Sequence, residues 1–241
     1  MTIEQGSGSL ELGRRVEVHA ALADPHRLRI VDLLGTGDFA PSELAELIGI
    51  RSNLFAHHVA ILERAGLVER IPSAGDGRRR YLRLIPQMLG PEPSPDPILA
   101  GAVLFICTGN SARSQMAAAL WNRASEVPAE SAGTHPEARV HLLAVRAAGR
   151  WGLRLGGAVP RPLGDVKRTP DLVVTVCDRA HEEIGASIFG ARVLHWSTPD
   201  PADAGTQMAF DETLARLDAR VATLRDRVVP PKGRTSARRT R

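Results

Sequence analysis

The chain is poor in cysteine, tyrosine and lysine, and it has no long apolar run. Two cysteines, Cys107 and Cys177, in 241 residues are too few for a disulfide scaffold. In a cytoplasmic protein, which this chain is expected to be, sparse cysteines are buried or catalytic. No stretch approaches the roughly 18 apolar residues that a membrane-spanning helix needs. The opening MTIEQGSGSLELGRR lacks the basic-then-apolar order of a signal peptide, so no membrane partner is expected. Aromatics make up 4% of the chain, and the single tyrosine, Tyr81, falls in the first half. No tyrosine is left in the second half to sandwich an aromatic substrate ring. Lysine occurs only as Lys167 and Lys232, a bias that points to a GC-rich coding sequence rather than to chemistry.

What is present is an ordinary globular composition, 43% hydrophobic and 24% charged. The net charge of +4 is uneven: residues 225–241 carry +6 and the remainder −2. That end, rich in Arg, Pro, Gly and Ser without helical periodicity, reads from 229 to 241 as a basic disordered tail. It either adds sequence-independent attraction to DNA phosphates or serves only solubility. A sharper break is IPQMLGPEPSPDPI. Pro86, Pro91, Pro93, Pro95 and Pro97 fix φ and remove amide donors, so residues 86–99 read as an extended linker. The expected architecture is two domains: a mainly α winged helix-turn-helix over 10–85, then an α/β domain with a parallel sheet over 100–228.

The first domain reads as four helices and a hairpin. Residues 10–22 form one helix. Asp24 caps a second with Pro25 at its first position, ending at Gly35. A third runs from Pro41 or Ser42 to Gly49, and a fourth opens at Ser52 as N-cap and closes at Gly66. LVERI and RRRYLRL flank the turn signal PSAGDG. In such a helix pair the second helix enters the major groove. Phe55, Val59 and Leu62 share the core face, leaving Arg51, Ser52, Asn53 and His57 for DNA. Arg78, Arg79 and Arg80 at the hairpin tip suit backbone or minor-groove contact.

On ALADPHRLRIVDLL, SELAELIGI, HHVAILERAGLVER and the Arg-rich wing, this half resembles the arsenical-resistance (ArsR-type) repressors. The resemblance implies a double-stranded DNA operator as partner and a homodimer. It departs from many metal-sensing members in having no cysteine in DFAPSELA, or anywhere before Cys107. A thiolate trap for a soft metal is therefore excluded from this domain. His57 and His58, adjacent on one helix, point apart. No metal site is expected.

The second half alternates strand and helix: AVLFIC, SQMAAALWNRAS, AESAGT, EARVHLLAVRAAGRWG, DLVVTVC, RVLHW and FDETLARLDARVATLRD. Ligands in such sheets sit beyond the carboxyl ends of the strands. VLFICTGNSARSQMAAAL occupies that position. Cys107 ends a strand and Arg113 begins a helix, so Thr108, Gly109, Asn110, Ser111 and Ala112 can curl with their amides inward around a tetrahedral oxyanion. Gly109 permits the turn, Asn110 braces the loop, and Arg113 grips two oxygens with its fork. A thiol at a helix N-terminus beside Arg is expected to have a lowered pKa, with Ser114 donating to the sulfur. That is a nucleophile held against an oxyanion. Cys177, at the end of DLVVTVC, lies on the same sheet edge if the strands are parallel. It is then either a resolving thiol or a small buried residue.

CTGNSARSQMA, ESAGTHP, VVTVCDRAHEE and HWSTPDPA resemble the low-molecular-weight protein tyrosine phosphatase fold family, and within it the arsenate reductase branch. The resemblance implies that Asp200, before Pro201, is the general acid. It implies arsenate or phosphate as ligand and no bound cofactor. The reductant would be external, a thioredoxin-like protein or a low-molecular-weight thiol. Ala202 and Asp203 stand where tyrosine phosphatases carry aromatics, which favours a small inorganic oxyanion. Ile184 stands where thioredoxin-coupled members have a third cysteine, Ala112 where some have a loop cysteine, and Ala118 where many have Glu. A Cys107–Cys177 disulfide and attack by an external thiol both stay open. So do two other readings of the domain: a non-turnover oxyanion or redox sensor for the repressor, and a protein tyrosine phosphatase.

Overall fold

The computed structural model describes residues 4–85, 97–185 and 187–231. Most of the linker expected at 86–99, and the tail from 232 onward, lie outside the described residues. The described chain forms two compact units.

The first unit begins with α1 (Glu4–Leu22), which starts six residues before the expected position. Gly6, Ser7, Gly8 and Ser9 are weak helix formers, so propensity alone hides this first part. In α2 (Pro25–Leu34) the Asp24 carboxylate accepts from the amides of His26 and Arg27, both at 3.0 Å. In α3 (Pro41–Ile48) Glu43 reaches back to the Ala40 amide at 3.1 Å, and Gly49 ends the helix in the left-handed region at φ 76°. The fourth helix, α4 (Ser52–Arg64), has Arg51 as its N-cap with no side-chain cap bond. Ser52, expected as the cap, is the first helical residue. Strands β1 (Val68–Pro72) and β2 (Arg80–Leu84) pair antiparallel as the wing. Phe39 bridges to Leu82, and neighbouring Asp38 takes a bidentate grip from Arg83 at 3.0 and 2.8 Å. Phe55, Val59 and Leu62 are buried with Ile30, Leu34, Leu44 and Leu67, the core face read from their spacing.

The second unit is built on a fully parallel sheet in the order β5-β4-β6-β7: Ala129–Gly133, Val103–Cys107, Leu172–Thr175 and Arg192–His195. Every residue of β4 is buried, as its unbroken apolar run requires of a central strand. Phe105 lies between Trp121 and Trp196, with ring centroids 6.0 and 5.8 Å away. Around the sheet pack α5 (Arg113–Ala124), α6 (Leu142–Arg150), α7 (Asp178–Ile184), α8 (Pro201–Ala204) and α9 (Gln207–Arg225).

Four boundaries in this unit differ from expectation. The strand β3 (Ile98–Leu99) pairs in parallel with β8 (Val228–Val229), so the linker ends before Ile98 and Val229 belongs to the fold rather than the tail. Two-residue strands leave no periodicity to read. Cys177 is not in a strand but is the N-cap of α7, its sulfur accepting from the Ala180 amide at 3.4 Å. The sixth helix starts at Leu142 rather than at Glu137, because the preceding residues make a different set of hydrogen bonds around the Cys107 loop.

Candidate functional site

The loop after β4 is held from outside by the segment after β5. The amides of Thr134, His135, Glu137 and His141 donate to the carbonyls of Cys107, Thr108, Gly109 and Ser111 at 2.8–3.2 Å. A trans peptide unit places its N–H opposite its C=O. The amides of Thr108, Gly109, Asn110 and Ala112 therefore point away from that segment. The cavity on the loop is lined by Cys107, Thr108, Gly109, Ser111, Ala112 and Arg113.

Side chains lock the loop from within. Asn110 is fully buried with a left-handed backbone, φ 47°. Its Nδ2 donates to Ser114 Oγ at 2.8 Å, while its Oδ1 accepts from Gln115 Nε2 at 3.1 Å and the Arg161 amide at 3.0 Å. Ser114 Oγ lies 3.0 Å from Cys107 Sγ. The Ser114 hydroxyl thus links Asn110 to the Cys107 sulfur. The positive φ that the tight turn needs falls on Asn110. At Gly109 a Cβ would meet only side-chain atoms, Glu137 Cγ at 2.9 Å and Ser111 Oγ at 3.1 Å. Gly133, which sequence reasoning passed over, is tighter still, with a Cβ meeting the Thr108 carbonyl at 2.5 Å. Arg161 and Gln115 were missed as well, because their roles depend on contacts across the fold.

Cys107 is buried, and this changes its expected acidity. Burial pushes the thiol up from its ordinary value, and nearby Cys177 adds to that. Arg113 and the Ser114 hydrogen bond pull down without winning. The helix start and Arg113 were expected to lower this thiol; burial acts the other way and outweighs Arg113 and the Ser114 hydrogen bonds. Both cysteines are free thiols at the carboxyl edge of adjacent strands β4 and β6. Thr108 Oγ1 lies 3.3 Å from Cys177 Sγ.

Arg113 and Asp200 meet. The guanidinium donates to an Asp200 carboxylate oxygen and, at 3.0 Å, to the Thr198 carbonyl. Asp200 also caps α8, accepting from the Ala202 amide at 3.1 Å. Sequence reasoning placed both residues on substrate but did not foresee their pairing. Beside Cys177 lies a buried chain that was also missed. His195 Nε2 is 3.0 Å from Asp178 Oδ1, His195 Nδ1 is 2.9 Å from Thr175 Oγ1, and that oxygen is 3.2 Å from His181 Nδ1. Burial alone raises the Asp178 carboxyl. Its hydrogen bonds, led by the one from His195, hold it below the ordinary carboxylate range.

In the first unit, Arg51, Ser52, Asn53 and His57 are all exposed at the start of α4, with Asn53 and His57 one turn apart on one face. Arg78, Arg79 and Arg80 are exposed at the wing. Arg80 folds back on the carbonyls of Gly77 and Arg79 at 2.8 and 3.0 Å.

Residues 102–231, which hold the whole Cys107 loop and its sheet, match the sequence profile described as low molecular weight phosphotyrosine protein phosphatase. The chain belongs to that family. Residues 22–71 match a helix-turn-helix domain, so a helix-turn-helix unit precedes the phosphatase-family unit in one chain. Among curated relatives, an arsenate reductase of Brevibacillus brevis is 32% identical over 109 residues, 42% of this chain and 76% of that protein. One of Halalkalibacterium halodurans is 33% identical over 106 residues, covering 42% and 75%. A solved arsenate reductase from Archaeoglobus fulgidus shares 32% identity over 52% of this chain and 98% of its own, with a TM-score of 0.46. Among the described residues of this phosphatase-family unit, the cavity lining also takes in Glu137, Ala138, Arg139, Val140, His141, Leu142 and Val145, and it includes no Phe, Tyr or Trp. No described helix is long and apolar enough to cross a membrane.

Proposed function

We propose that this chain is a DNA-binding regulator of the ArsR type, acting as a homodimer in the cytoplasm, whose second domain reduces arsenate at the expense of an external thiol. The observation that carries the reading is a buried thiol, Cys107, inside a braced oxyanion loop, with a second free thiol on the same sheet edge and no aromatic wall. Arsenate reductases are among the relatives at or above 30% identity, which supports arsenate over a phosphotyrosine ring.

Arsenate is bound by the loop amides of residues 108–112 and the Arg113 fork. The raised thiol pKa of Cys107 suits an anionic substrate. A neutral thiol admits the dianion without two charges clashing, and the thiol proton passes to an arsenate oxygen as the sulfur turns nucleophile. Cys107 Sγ then bonds to arsenic, one As–O bond breaks, and Asp200 relays a proton from solvent to the departing oxygen, which leaves as water. A second thiol next attacks Cys107 Sγ. The S–As pair returns to arsenic, which falls from As(V) to As(III), and the two sulfurs leave as a disulfide. Cys177 or a low-molecular-weight thiol fills that role, and a thioredoxin-like protein or excess thiol restores Cys107. In the first domain, Arg51, Ser52, Asn53 and His57 are assigned to the major groove of an operator and Arg78, Arg79 and Arg80 to the phosphates beside it.

The test is arsenate reduction by the purified chain with thioredoxin and low-molecular-weight thiols supplied separately, and para-nitrophenyl phosphate hydrolysis alongside. Many arsenite molecules per chain, lost in Cys107→Ser, is the expected result. Ester hydrolysis without arsenite release makes the domain a phosphatase. Silence in both assays makes it a sensor.

A further inference from the structure

Three side chains able to ligate a metal converge where α2 begins and α4 passes it. Asp24 and His26 open α2, and His58 sits in the middle of α4. One ligand atom from each lies within 4.8 Å of the others. Asp24 Oδ1 is 3.6 Å from His58 Nδ1 and 3.9 Å from His26 Nδ1. The two imidazoles face each other at 5.3 Å between centroids, tilted by 31°. His58 is only 5% exposed, yet neither of its ring nitrogens has a hydrogen-bond partner among the described residues. A buried imidazole without a partner is costly, and this one is aimed at a carboxylate and a second imidazole.

We propose that Asp24, His26 and His58 form a binding site for a divalent transition-metal ion of the zinc or cobalt kind. Two imidazole nitrogens and one carboxylate oxygen are a ligand set such ions accept, with a fourth position for water. Metal–ligand bonds of about 2.0–2.2 Å at tetrahedral angles put ligand atoms roughly 3.4 Å apart. The present separations from Asp24 Oδ1, 3.6 Å to His58 and 3.9 Å to His26, are slightly above that value, and the His26 side chain is 44% exposed and not packed in place. The carboxylate is fixed by its cap bonds to α2, so the site is partly built by the helix start. Arg27 lies 3.9 Å from the other Asp24 oxygen, which moderates the expected affinity.

From sequence no metal site was expected in this domain; the proposed cluster draws its ligands from α2 and not from the adjacent histidine. His57 is exposed and stays outside the cluster, so the adjacent histidines do not make a pair. The ligands that His58 lacks on its own helix come from α2. Because α4 also carries Arg51, Ser52, Asn53 and His57, an ion here would pin the start of α2 to the helix assigned to DNA.

The experiment is a Co²⁺ titration of the full chain carrying Cys107→Ser and Cys177→Ser to remove competing thiolates. It is followed by visible absorption and back-titrated with Zn²⁺. The expected result is one Co²⁺ per chain, displaced by Zn²⁺, with affinity falling at least about tenfold in His26→Ala and in His58→Gln and unchanged in His57→Ala. His26→Ala is the stronger test because that side chain is half exposed and its loss leaves the core intact; circular dichroism checks the fold of each variant. No saturable uptake, uptake unchanged in either His26→Ala or His58→Gln, or an equal loss in His57→Ala overturns the proposal.

Discussion

Arg113 is tied to Asp200. One guanidinium nitrogen holds the carboxylate and another holds the Thr198 carbonyl, so the fork proposed to grip substrate and the acid proposed to serve it are paired with each other. The two residues are expected to fail differently when replaced. Asp200→Asn removes the acid and releases the fork. Arsenate or phosphate is expected to bind as tightly or more tightly, while turnover falls about 10²–10⁴-fold. Arg113→Lys keeps a charge but cannot span two oxygens, and both binding and turnover are expected to drop. Steady-state kinetics with phosphate as a competitive inhibitor separates the two patterns. Equal losses of kcat and affinity in Asp200→Asn would mean that the carboxylate only positions Arg113.

Cys107 should react as a buried thiol rather than as a free-standing thiolate. Its folded pKa is raised, first by burial and then by Cys177, so the thiolate fraction, and with it the rate of iodoacetamide alkylation, rises with pH through a midpoint above that of an ordinary thiol. Arg113 and Ser114 oppose the shift, and Arg113→Ala or Ser114→Ala is expected to move the midpoint further up. Cys177→Ser removes a like charge and is expected to move it down. A midpoint below that of free cysteine in the unliganded protein would show that the loop amides and helix start outweigh desolvation.

Local signals made much of this architecture legible. Asp24-Pro25 and Gly49 mark helix ends by chemistry that acts within a few residues, and the apolar VLFIC run followed by a small-residue loop places Cys107 at a strand end. The parallel sheet followed from strand–helix alternation. What was not legible depends on distant partners. The stretch 137–141 reads as helix by propensity, but its amides are spent on the loop carbonyls at Gly109 and Ser111. Gly133 looks like any strand-end glycine until Thr108 is folded over it. The buried His195–Asp178 pair joins residues 17 positions apart, and the direction of the Cys107 shift depends on burial, which no motif encodes.

That buried pair carries a stability prediction. Asp178 and His195 are each 2% exposed at the side chain, so Asp178→Ala leaves a ring nitrogen without its acceptor and is expected to cost about 1–3 kcal/mol in urea unfolding. The pH dependence follows from the depressed carboxyl. Its contribution is complete above the ordinary value of 3.8 and is lost as pH falls through the lower folded value. Asp178→Asn should therefore be less stable than the parent at neutral pH, with the difference shrinking in acid. A constant difference across pH would assign the effect to packing alone.

The two glycines around the loop give the sharpest contrast. Neither Gly109 nor Gly133 has a positive φ, so alanine at either is judged by space alone. At Gly109 the obstacle is the side chain of exposed Glu137, which can rotate away. Gly109→Ala is expected to retain oxyanion binding within a few-fold. At Gly133 the nearest atom is the Thr108 carbonyl at 2.5 Å, with the Asn110 amide at 3.1 Å behind it. A Cβ there must push the loop backbone itself. Overpacking of this kind costs about 1–3 kcal/mol, and a loop moved by about 1 Å loses roughly 10²-fold in rate. Gly133→Ala is thus expected to fold, to bind phosphate poorly by calorimetry and to turn over about a hundredfold more slowly. If it binds and turns over like the parent, the close packing of β5 on the loop is not what shapes the cradle, and the amide geometry must be held by Asn110 and the 134–141 segment alone.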